Sequence, residues 1–119
     1  MPKIMIVDDD KLTVSLLTTL LEFDNFQVVS VADGGSAMQR AKAEKPDAFL
    51  VDFHLSDGPG TDFIRHLRAD SEFAATPVVM ASGLNREDEA FEAGANHFMI
   101  KPFDPGDLVD IITDLLAGK

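Results

Sequence analysis

The run Ile4-Met5-Ile6-Val7-Asp8-Asp9-Asp10 decides the fold, because four apolar residues pass directly into three aspartates. A continuous apolar run indicates a strand that is covered on both faces, as in a parallel sheet. Four similar short runs follow along the chain, at residues 28–31, 48–51, 78–81 and 98–100. Each intervening segment is long enough for a crossover helix.

The segments between the apolar runs carry helical patterns. The clearest is the spacing of Leu108, Ile111, Ile112, Leu115 and Leu116, which predicts an amphipathic last helix. Leucines at positions 16, 17, 20 and 21 predict one face of a first helix, and further helices are predicted over residues 36–43, 61–69 and 85–93. The last of these would begin at Asn85 as N-cap and end at Gly94. Strands alternating with helices predict an α/β, doubly wound (βα)5 fold that forms one domain over residues 1–119.

The composition excludes several classes of function. The chain has 119 residues and a formal charge of −11, from 10 basic and 21 acidic side chains. Such a surface repels phosphate backbones and anionic lipids, so we expect no direct binding to nucleic acid or membrane. The absence of cysteine excludes disulfides, zinc–thiolate sites and thiol catalysis. No apolar run is long enough to span a bilayer and none resembles a signal peptide, so we expect a cytoplasmic location.

Polar side chains follow four of the five predicted strands. Asp8 and Asp9 follow the first strand, Asp52 the third, Ser82 the fourth and Lys101 the fifth. In open α/β sheets the ligand site lies outside the carboxyl ends of the strands, so these side chains should share one pocket if their strands are neighbours. The second strand would then be an edge strand, away from the site.

The charges of this predicted pocket indicate its ligand. Three carboxylates and one ammonium sum to −2, and two like charges 4 Å apart repel by about 4 kcal/mol at an effective dielectric constant of about 20. Such a cluster takes up protons or binds a cation, and oxygen ligands favour Mg²⁺ or Mn²⁺. A hard cation beside a carboxylate, a hydroxyl and a lysine is suited to a phosphoryl group, which the carboxylate could accept as an acyl phosphate.

Five motifs in order make the chain resemble the receiver domains of two-component response regulators. The resemblance covers essentially the whole chain and implies a flavodoxin-like sheet with strand order 2-1-3-4-5. The matching pieces are Ile6-Val7-Asp8-Asp9-Asp10, Pro46-Asp47 through Asp52, Gly60, Pro77 through Ser82, and Ala93-Gly94-Ala95 through Lys101-Pro102-Phe103.

The resemblance implies a role for each acidic residue. Asp52 would be the phosphoacceptor, taking phosphate from a sensor histidine kinase or a phosphotransfer protein, and would also ligate the metal. Asp9 would be a direct ligand of Mg²⁺ (or Mn²⁺), and Asp8 would act mainly through metal-bound water. The backbone carbonyl of His54 would complete the protein ligands.

The resemblance also implies a switch. Lys101 would pair with the phosphoryl group, and the Lys101–Pro102 bond would be cis. Ser82 would move toward a phosphoryl oxygen, and Phe98 would then rotate inward. Ser82 stands where the family usually has threonine and Phe98 where it often has tyrosine. Ser56 stands where proline is usual, which predicts a more mobile loop over residues 55–60.

These expectations describe a phosphorylation switch, not an enzyme that turns over an outside substrate. Phosphate on Asp52 would alter the face formed by the fourth helix, fifth strand and fifth helix, and so control a downstream protein or a fused effector domain. Two alternatives stay open: a phosphate-independent, receiver-like interaction module, and an aspartyl phosphatase, because Asp8-x-Asp10 resembles the opening motif of haloacid-dehalogenase-type enzymes. The sequence identifies neither the kinase nor the target, nor whether the domain stands alone.

Overall fold

Five parallel strands form the central sheet of the computed structural model, which describes residues 1–118. We number the strands of this sheet β1 (Lys3–Val7), β2 (Gln27–Val31), β3 (Ala48–Asp52), β4 (Val78–Ser82) and β5 (His97–Ile100). Their order is β2-β1-β3-β4-β5, and every neighbouring pair is parallel. The predicted α/β class, strand order and edge position of β2 are therefore confirmed.

Five helices cover the two faces of the sheet: α1 (Lys11–Phe23), α2 (Gly34–Glu44), α3 (Gly60–Ala69), α4 (Glu87–Ala93) and α5 (Pro105–Leu116). Buried residues of α1 and α5 share one core cluster, and those of α2, α3 and α4 share the other. Within residues 1–118, no helix is both long and apolar enough to cross a bilayer.

Burial on both faces explains why the inner strands are uniformly apolar. Alternate residues of β1 enter opposite clusters: Met5 and Val7 pack with α2 and α3, whereas Ile4 and Ile6 pack with α1 and α5. Phe49 of β3 is fully buried and makes edge-to-face contacts with Phe63 and Phe73, with ring centroids 5.7 Å away in both cases. Each such aromatic pair contributes about 0.5–1.5 kcal/mol beyond the area that it buries.

The core-facing side of α1 differs from the prediction. Leu17 and Leu21 are buried, with Val14 packed beside them, but Leu16 is 58% exposed. Residues 14, 17 and 21 recur at a helical period on one face, whereas Leu16 lies about 100° from Leu17. The prediction that Leu16 belongs to the core face was therefore wrong.

The start of α4 also differs from the prediction. The helix begins at Glu87, with Arg86 in the N-cap position and no side-chain cap bond. The side chain of Asn85 still accepts a hydrogen bond from the Glu87 N–H, at 3.0 Å, but it does so from one position farther back. The end of the helix at Gly94 is confirmed, since Gly94 adopts the left-handed conformation.

The segment after β3 is more ordered than a simple loop. His54–Leu55 and Gly58–Pro59 pair as a short antiparallel hairpin. The Asp57 side chain at its tip accepts hydrogen bonds from the N–H groups of Gly34 and Gly35, at 3.1 and 2.9 Å. The hairpin is thus bonded to the start of α2, an arrangement that the expectation of a mobile loop over residues 55–60 did not include.

Candidate functional site

The register of the sheet brings the predicted site residues to one edge. Val7 pairs with Val51, so Asp8 and Asp52 follow side by side from β1 and β3. Asp52 pairs with Ala81, and Ser82 pairs with Ile100, which precedes Lys101. We had expected Asp52 and Ser82 to follow their strands, but each is the last residue of its strand. Strand pairing therefore fixes the backbones of Asp52 and Ser82, and Asp8 and Lys101 directly follow paired residues.

Lys101 joins two of the aspartates. Its Nζ lies 3.0 Å from Asp8 Oδ2 and 2.9 Å from Asp52 Oδ1. The side chains of Asp8 and Asp52 are only 5% and 12% exposed, against 26% for Lys101. One partly buried ammonium group therefore pairs with two carboxylates, so negative charge remains in excess at the site. The Lys101–Pro102 peptide bond is cis, as the family resemblance implied.

Three carboxylates form a candidate metal site. One oxygen from each of Asp8, Asp9 and Asp52 lies within 4.8 Å of the other two. Asp8 is held in place because its Oδ1 accepts the Asp10 N–H at 2.9 Å while its Oδ2 accepts from Lys101. Asp9 is exposed and open to solvent. Hard oxygen donors that are partly open to water fit Mg²⁺, which keeps several of its waters when bound.

The pKa shifts follow from burial first and from the paired and neighbouring charges second. Burial raises the pKa of the Asp52 carboxyl, the pairing with Lys101 opposes that shift, and the nearby charges of Asp8 and Asp9 add to it. Burial works to lower the pKa of Lys101, but its hydrogen bonds to Asp52 and Asp8 outweigh burial and leave that pKa raised. The two directions agree physically, because Lys101 is stabilised by two anions while Asp52 shares a single cation with a second carboxylate.

The two predicted switch residues are both buried. Ser82 is fully buried, and its Oγ accepts a hydrogen bond from the Leu84 N–H at 3.2 Å. Phe98 is 8% exposed and packs in the cluster that contains α4. The inward position that we expected after phosphorylation is therefore the position that Phe98 holds here.

His54 lies beside the site on the hairpin. Its imidazole is exposed and contacts the Phe53 ring edge-on, with centroids 4.9 Å apart. Asp10, the third aspartate of the opening run, caps α1 by accepting hydrogen bonds from the N–H groups of Leu12 and Thr13. The ligand role of the His54 carbonyl stays a prediction.

Sequence reasoning missed Arg86. Its guanidinium lies 5.1 Å from the centre of the Phe53 ring, and Phe53 directly follows the predicted phosphoacceptor. Arg86 Nη1 also bonds Glu89 Oε1 at 3.2 Å. The start of α4 is therefore in contact with the residue after Asp52. An arginine before an acidic helix gives no sequence signal for this contact, because the Phe53 ring is 33 positions away in the chain.

Comparison with known proteins agrees with this fold. The family model described as the response regulator receiver domain matches residues 4–113. Protein PilH of Pseudomonas aeruginosa is 33% identical, over 99% of this chain and all of PilH. The phosphate regulon transcriptional regulatory protein PhoB of Escherichia coli is 34% identical over 90% of this chain, which spans about half the length of PhoB.

Solved structures show the same architecture. A putative response regulator from Chloroflexus aurantiacus superposes with a TM-score of 0.92 at 31% identity, covering 98% of this chain and 99% of that one. The receiver domain of the sensor histidine kinase PA1611 from Pseudomonas aeruginosa, at 26% identity and a TM-score of 0.89, covers 98% of both chains. That structure has a magnesium ion coordinated in its active site cleft.

Proposed function

This chain belongs to the response regulator receiver domain family of two-component signalling, and on that premise we propose that Asp52 accepts a phosphoryl group from the phosphohistidine of a sensor histidine kinase or a phosphotransfer protein. The observation that carries the proposal is the shared edge at which Lys101 pairs with Asp8 and Asp52 beside the exposed Asp9. These groups supply an acceptor, a cation and a candidate metal site in one place.

The transfer uses Asp52 as nucleophile. Its Oδ1 is bonded to Lys101, which leaves Oδ2 as the oxygen available for attack. A bond forms between this oxygen and phosphorus while the bond from phosphorus to the donor imidazole nitrogen breaks, and the imidazole leaves with the electron pair and takes up a proton. Attack of water on the phosphorus later returns the carboxylate and releases inorganic phosphate.

Charge neutralisation is the main catalytic requirement, because a phosphoryl group adds negative charge to a cluster that already has an excess of acid. Lys101 Nζ is within reach of Asp52 and can turn from the carboxylate to a phosphoryl oxygen. A bound Mg²⁺ would supply the remaining positive charge. Asp9, Asp52 and the His54 carbonyl would be its ligands, and Asp8 would act through metal-bound water. The domain would act only on its own phosphate and would not turn over an outside substrate.

Phosphorylation would act through Ser82, next to the already buried Phe98. If the Ser82 hydroxyl turns toward a phosphoryl oxygen, its hydrogen bond with the Leu84 N–H is lost. That change would alter the segment leading into α4, which lies on the same side of the sheet as Phe98. The surface of α4, β5 and α5 would then favour a different partner state, in a downstream protein or a fused effector domain of a cytoplasmic signalling pathway.

The direct test is labelling with ³²P-acetyl phosphate in the presence of Mg²⁺. We expect the wild type to take up label that is labile to hydroxylamine, as an acyl phosphate is, and Asp52→Asn to take up none. Asp62→Asn is the matched control, because the Asp62 side chain is 64% exposed and pairs with the exposed Arg65. Equal labelling of wild type and Asp52→Asn would contradict the proposal.

Beryllofluoride distinguishes the phosphorylation switch from the main alternative, an interaction module that acts independently of phosphate. With Mg²⁺ it mimics an acyl phosphate, so it should shift backbone amide NMR signals around Ser82, Leu84 and Phe98. A protein that binds partners independently of phosphate would show no such change. Steady hydrolysis of a small phosphate ester would instead favour the aspartyl phosphatase.

A further inference from the structure

Three large apolar side chains form a stripe on the exposed side of α1. Leu12 is 80% exposed, Leu16 58% and Phe23 87%. At about 100° per residue they lie within about 40° of one another around the helix, whereas the buried Leu21 lies about 160° from their centre. We call these three residues the α1 stripe. The helix therefore has two apolar faces, of which its own domain covers one.

An apolar groove of about 310 Å³ runs beside the α1 stripe. Leu16 and Leu17 of α1 line one side of it, and Pro102, Phe103 and Pro105 line the side toward α5. Leu16 belongs to both features, so the stripe and the groove form one continuous apolar surface. The groove is large enough to accommodate an aromatic ring.

Phe23 is suited to such a groove but cannot reach the one in its own chain. It lies about 10 Å along the helix axis from Leu16, and it is the most exposed large apolar side chain within residues 1–118. Each chain thus presents a projecting ring and a groove on the same side of α1, at different heights. A second copy can cover both at once, because contacts across a two-fold axis are reciprocal.

An antiparallel arrangement of two α1 helices brings ring and groove together. The C-terminal end of one helix then lies beside the N-terminal end of the other, so Phe23 of one copy faces Leu12 of the other. Helical side chains lean toward the N-terminus of their helix, which carries the Phe23 ring back toward the level of Leu16 and the groove. A parallel arrangement would place the two Phe23 rings side by side, away from both grooves.

The charges at the two ends of α1 fit the same arrangement. Lys11 and Glu22 are exposed and lie within about 20° of each other, on one flank of the α1 stripe. In an antiparallel pair, Lys11 of one copy therefore lies near Glu22 of the other, and symmetry repeats the contact. In a parallel pair, Lys11 of one copy and Glu22 of the other would stand at opposite ends of the interface.

The middle of α1 is free of the charge that opposes association elsewhere. Residues 12–21 contain no charged side chain, although the whole chain carries −11. Two copies still repel each other at long range, and NaCl screens that repulsion. Exposed ion pairs contribute only about 0–1 kcal/mol each, so we expect association through α1 to strengthen as NaCl is raised.

We propose that two copies of this chain form a two-fold dimer through antiparallel α1 helices. Phe23 of each copy enters the groove between α1 and α5 of the other, and Lys11 pairs with Glu22 across the interface. This dimer goes beyond the proposed phosphotransfer, because it needs neither the carboxylates at the strand ends nor the face of α4, β5 and α5. It places the two phosphoacceptor sites at opposite ends of the helix pair, since each α1 begins beside its own site.

The first test is sedimentation velocity on the full chain, in about 150 mM NaCl and from about 1 µM to 1 mM protein. Interference optics are needed because the chain has no tryptophan or tyrosine. We expect a monomer–dimer equilibrium that Phe23→Ala weakens about tenfold or more, as loss of a central apolar contact does. Phe91→Ala is the matched control, because Phe91 is 47% exposed on α4, and it should leave the equilibrium unchanged.

Exchange of the two charges tests the orientation. Lys11→Glu and Glu22→Lys should each weaken the dimer several-fold, because each variant places like charges opposite each other. The double variant restores opposite charges and should return the affinity to within about twofold of wild type. Glu92→Lys makes the same change of net charge as Glu22→Lys but on α4, and it should not weaken the dimer.

Several results would overturn the proposal. One is a chain that stays monomeric up to about 1 mM, whether the α1 stripe then binds phosphatidylcholine vesicles, a different protein or nothing. Another is a dimer that Phe91→Ala abolishes and Phe23→Ala leaves intact. A third is a charge-exchanged double variant that dimerises as weakly as the two single variants. Labelling of Asp52 by acetyl phosphate tests the proposed function separately and does not depend on these outcomes.

Discussion

At the scale of single residues, Lys101 determines how the site behaves before any ligand arrives. It is shared by Asp8 and Asp52, and it directly follows β5, where its backbone N–H donates to the Ser82 carbonyl at 2.8 Å. Asp52 is consequently charged in a place where burial and two nearby carboxylates oppose its charge. A residue that is tuned for chemistry in this way is expected to cost the fold some stability.

We predict that Asp52→Asn stabilises the protein at pH 7 in the absence of divalent cations. The folded pKa of Asp52 is raised, so the folded state binds more protons than the unfolded state just above the ordinary carboxyl pKa of about 3.9, and stability falls as pH rises through that window. Asparagine removes this penalty while its oxygen can still accept from Lys101, for a gain of about 1 kcal/mol.

Urea unfolding measures both the sign and the size of the stability difference between Asp52→Asn and wild type. The difference between Asp52→Asn and wild type should disappear as pH falls below about 3.9, where the carboxyl is protonated in both states. Asp62→Asn, on an exposed carboxylate, should change stability little at any pH. A variant that is less stable than wild type at pH 7 would mean that the Lys101 pair outweighs burial.

At the scale of elements, the observed boundaries show which ends of strands and helices can be predicted from sequence patterns. The five apolar runs predicted each strand of the central sheet to within one residue, because burial on both faces of a sheet leaves a continuous signal. The start of α2 was placed two residues late, since glycines at 34 and 35 looked like a break before the helix. The carboxylate that holds those glycines in the helix comes from Asp57, and such a tertiary contact leaves no local pattern.

The contact of Asp57 with α2 leads to a prediction on local stability. Asp57→Ala removes the acceptor of both the Gly34 and Gly35 N–H groups, so these amides should exchange hydrogen faster and the first turn of α2 should fray. Amide exchange followed by NMR measures this, with Asp62→Ala as a control on a carboxylate without a cap bond to α2. Unchanged exchange at Gly34 and Gly35 would show that Asp33, which accepts from the Ser36 N–H, holds the helix start alone.

The same contact has a defined pH dependence. The Gly34 and Gly35 N–H groups lower the pKa of Asp57, so its contribution is complete above the ordinary carboxyl pKa of about 3.9 and is lost as pH falls below it. Protection of the two amides should therefore decline in acid in the wild type, below that pH. In Asp57→Ala the corresponding decline should be absent.

The start of α3 gives a steric prediction. A Cβ on Gly60 would overlap the main-chain oxygen of Asp52 and lie 2.9 Å from a methyl carbon of Val51, whereas a Cβ on Gly83 would meet nothing within 4 Å. Gly60→Ala should destabilise the protein by about 2–3 kcal/mol, as overpacking in a core does, and Gly83→Ala should be near neutral. Thermal unfolding of the two variants side by side measures the difference. Equal melting temperatures would mean that the α3 start shifts freely away from β3.

At the scale of the whole molecule, the topology explains why the site could be predicted when several contacts could not. Asp8, Asp52, Ser82 and Lys101 lie far apart in the chain, yet each stands at or directly after the carboxyl end of a strand. The strand order then fixes which ends are neighbours, and that order came from the family resemblance. The Arg86–Phe53 contact depends instead on how α4 lies on the sheet, which apolar spacing in a seven-residue helix does not specify.

Net charge is the other property of the whole molecule, and it gives the final prediction. With 21 acidic and 10 basic residues, the folded chain repels itself, and exposed ion pairs such as Arg65–Asp62 are too solvated to compensate. NaCl should therefore raise the melting temperature by screening. At matched ionic strength, Mg²⁺ should raise it further, by about 1.4 kcal/mol or roughly 4–6 °C at ten times its Kd, because it binds only the folded site.

The rise in melting temperature that Mg²⁺ gives beyond NaCl at matched ionic strength measures binding at the site, because screening is the same in both salts. Asp9→Asn should lose this excess, because Asp9 is the exposed member of the three carboxylates, and Glu22→Gln should keep it while removing the same charge at the far end of α1. Asp9→Asn should also be more stable than wild type without Mg²⁺, since it relieves repulsion around Asp52. An equal Mg²⁺ effect in both variants would mean that the cation acts on the acidic surface as a whole, and the metal site at the ends of β1 and β3 would have to be abandoned.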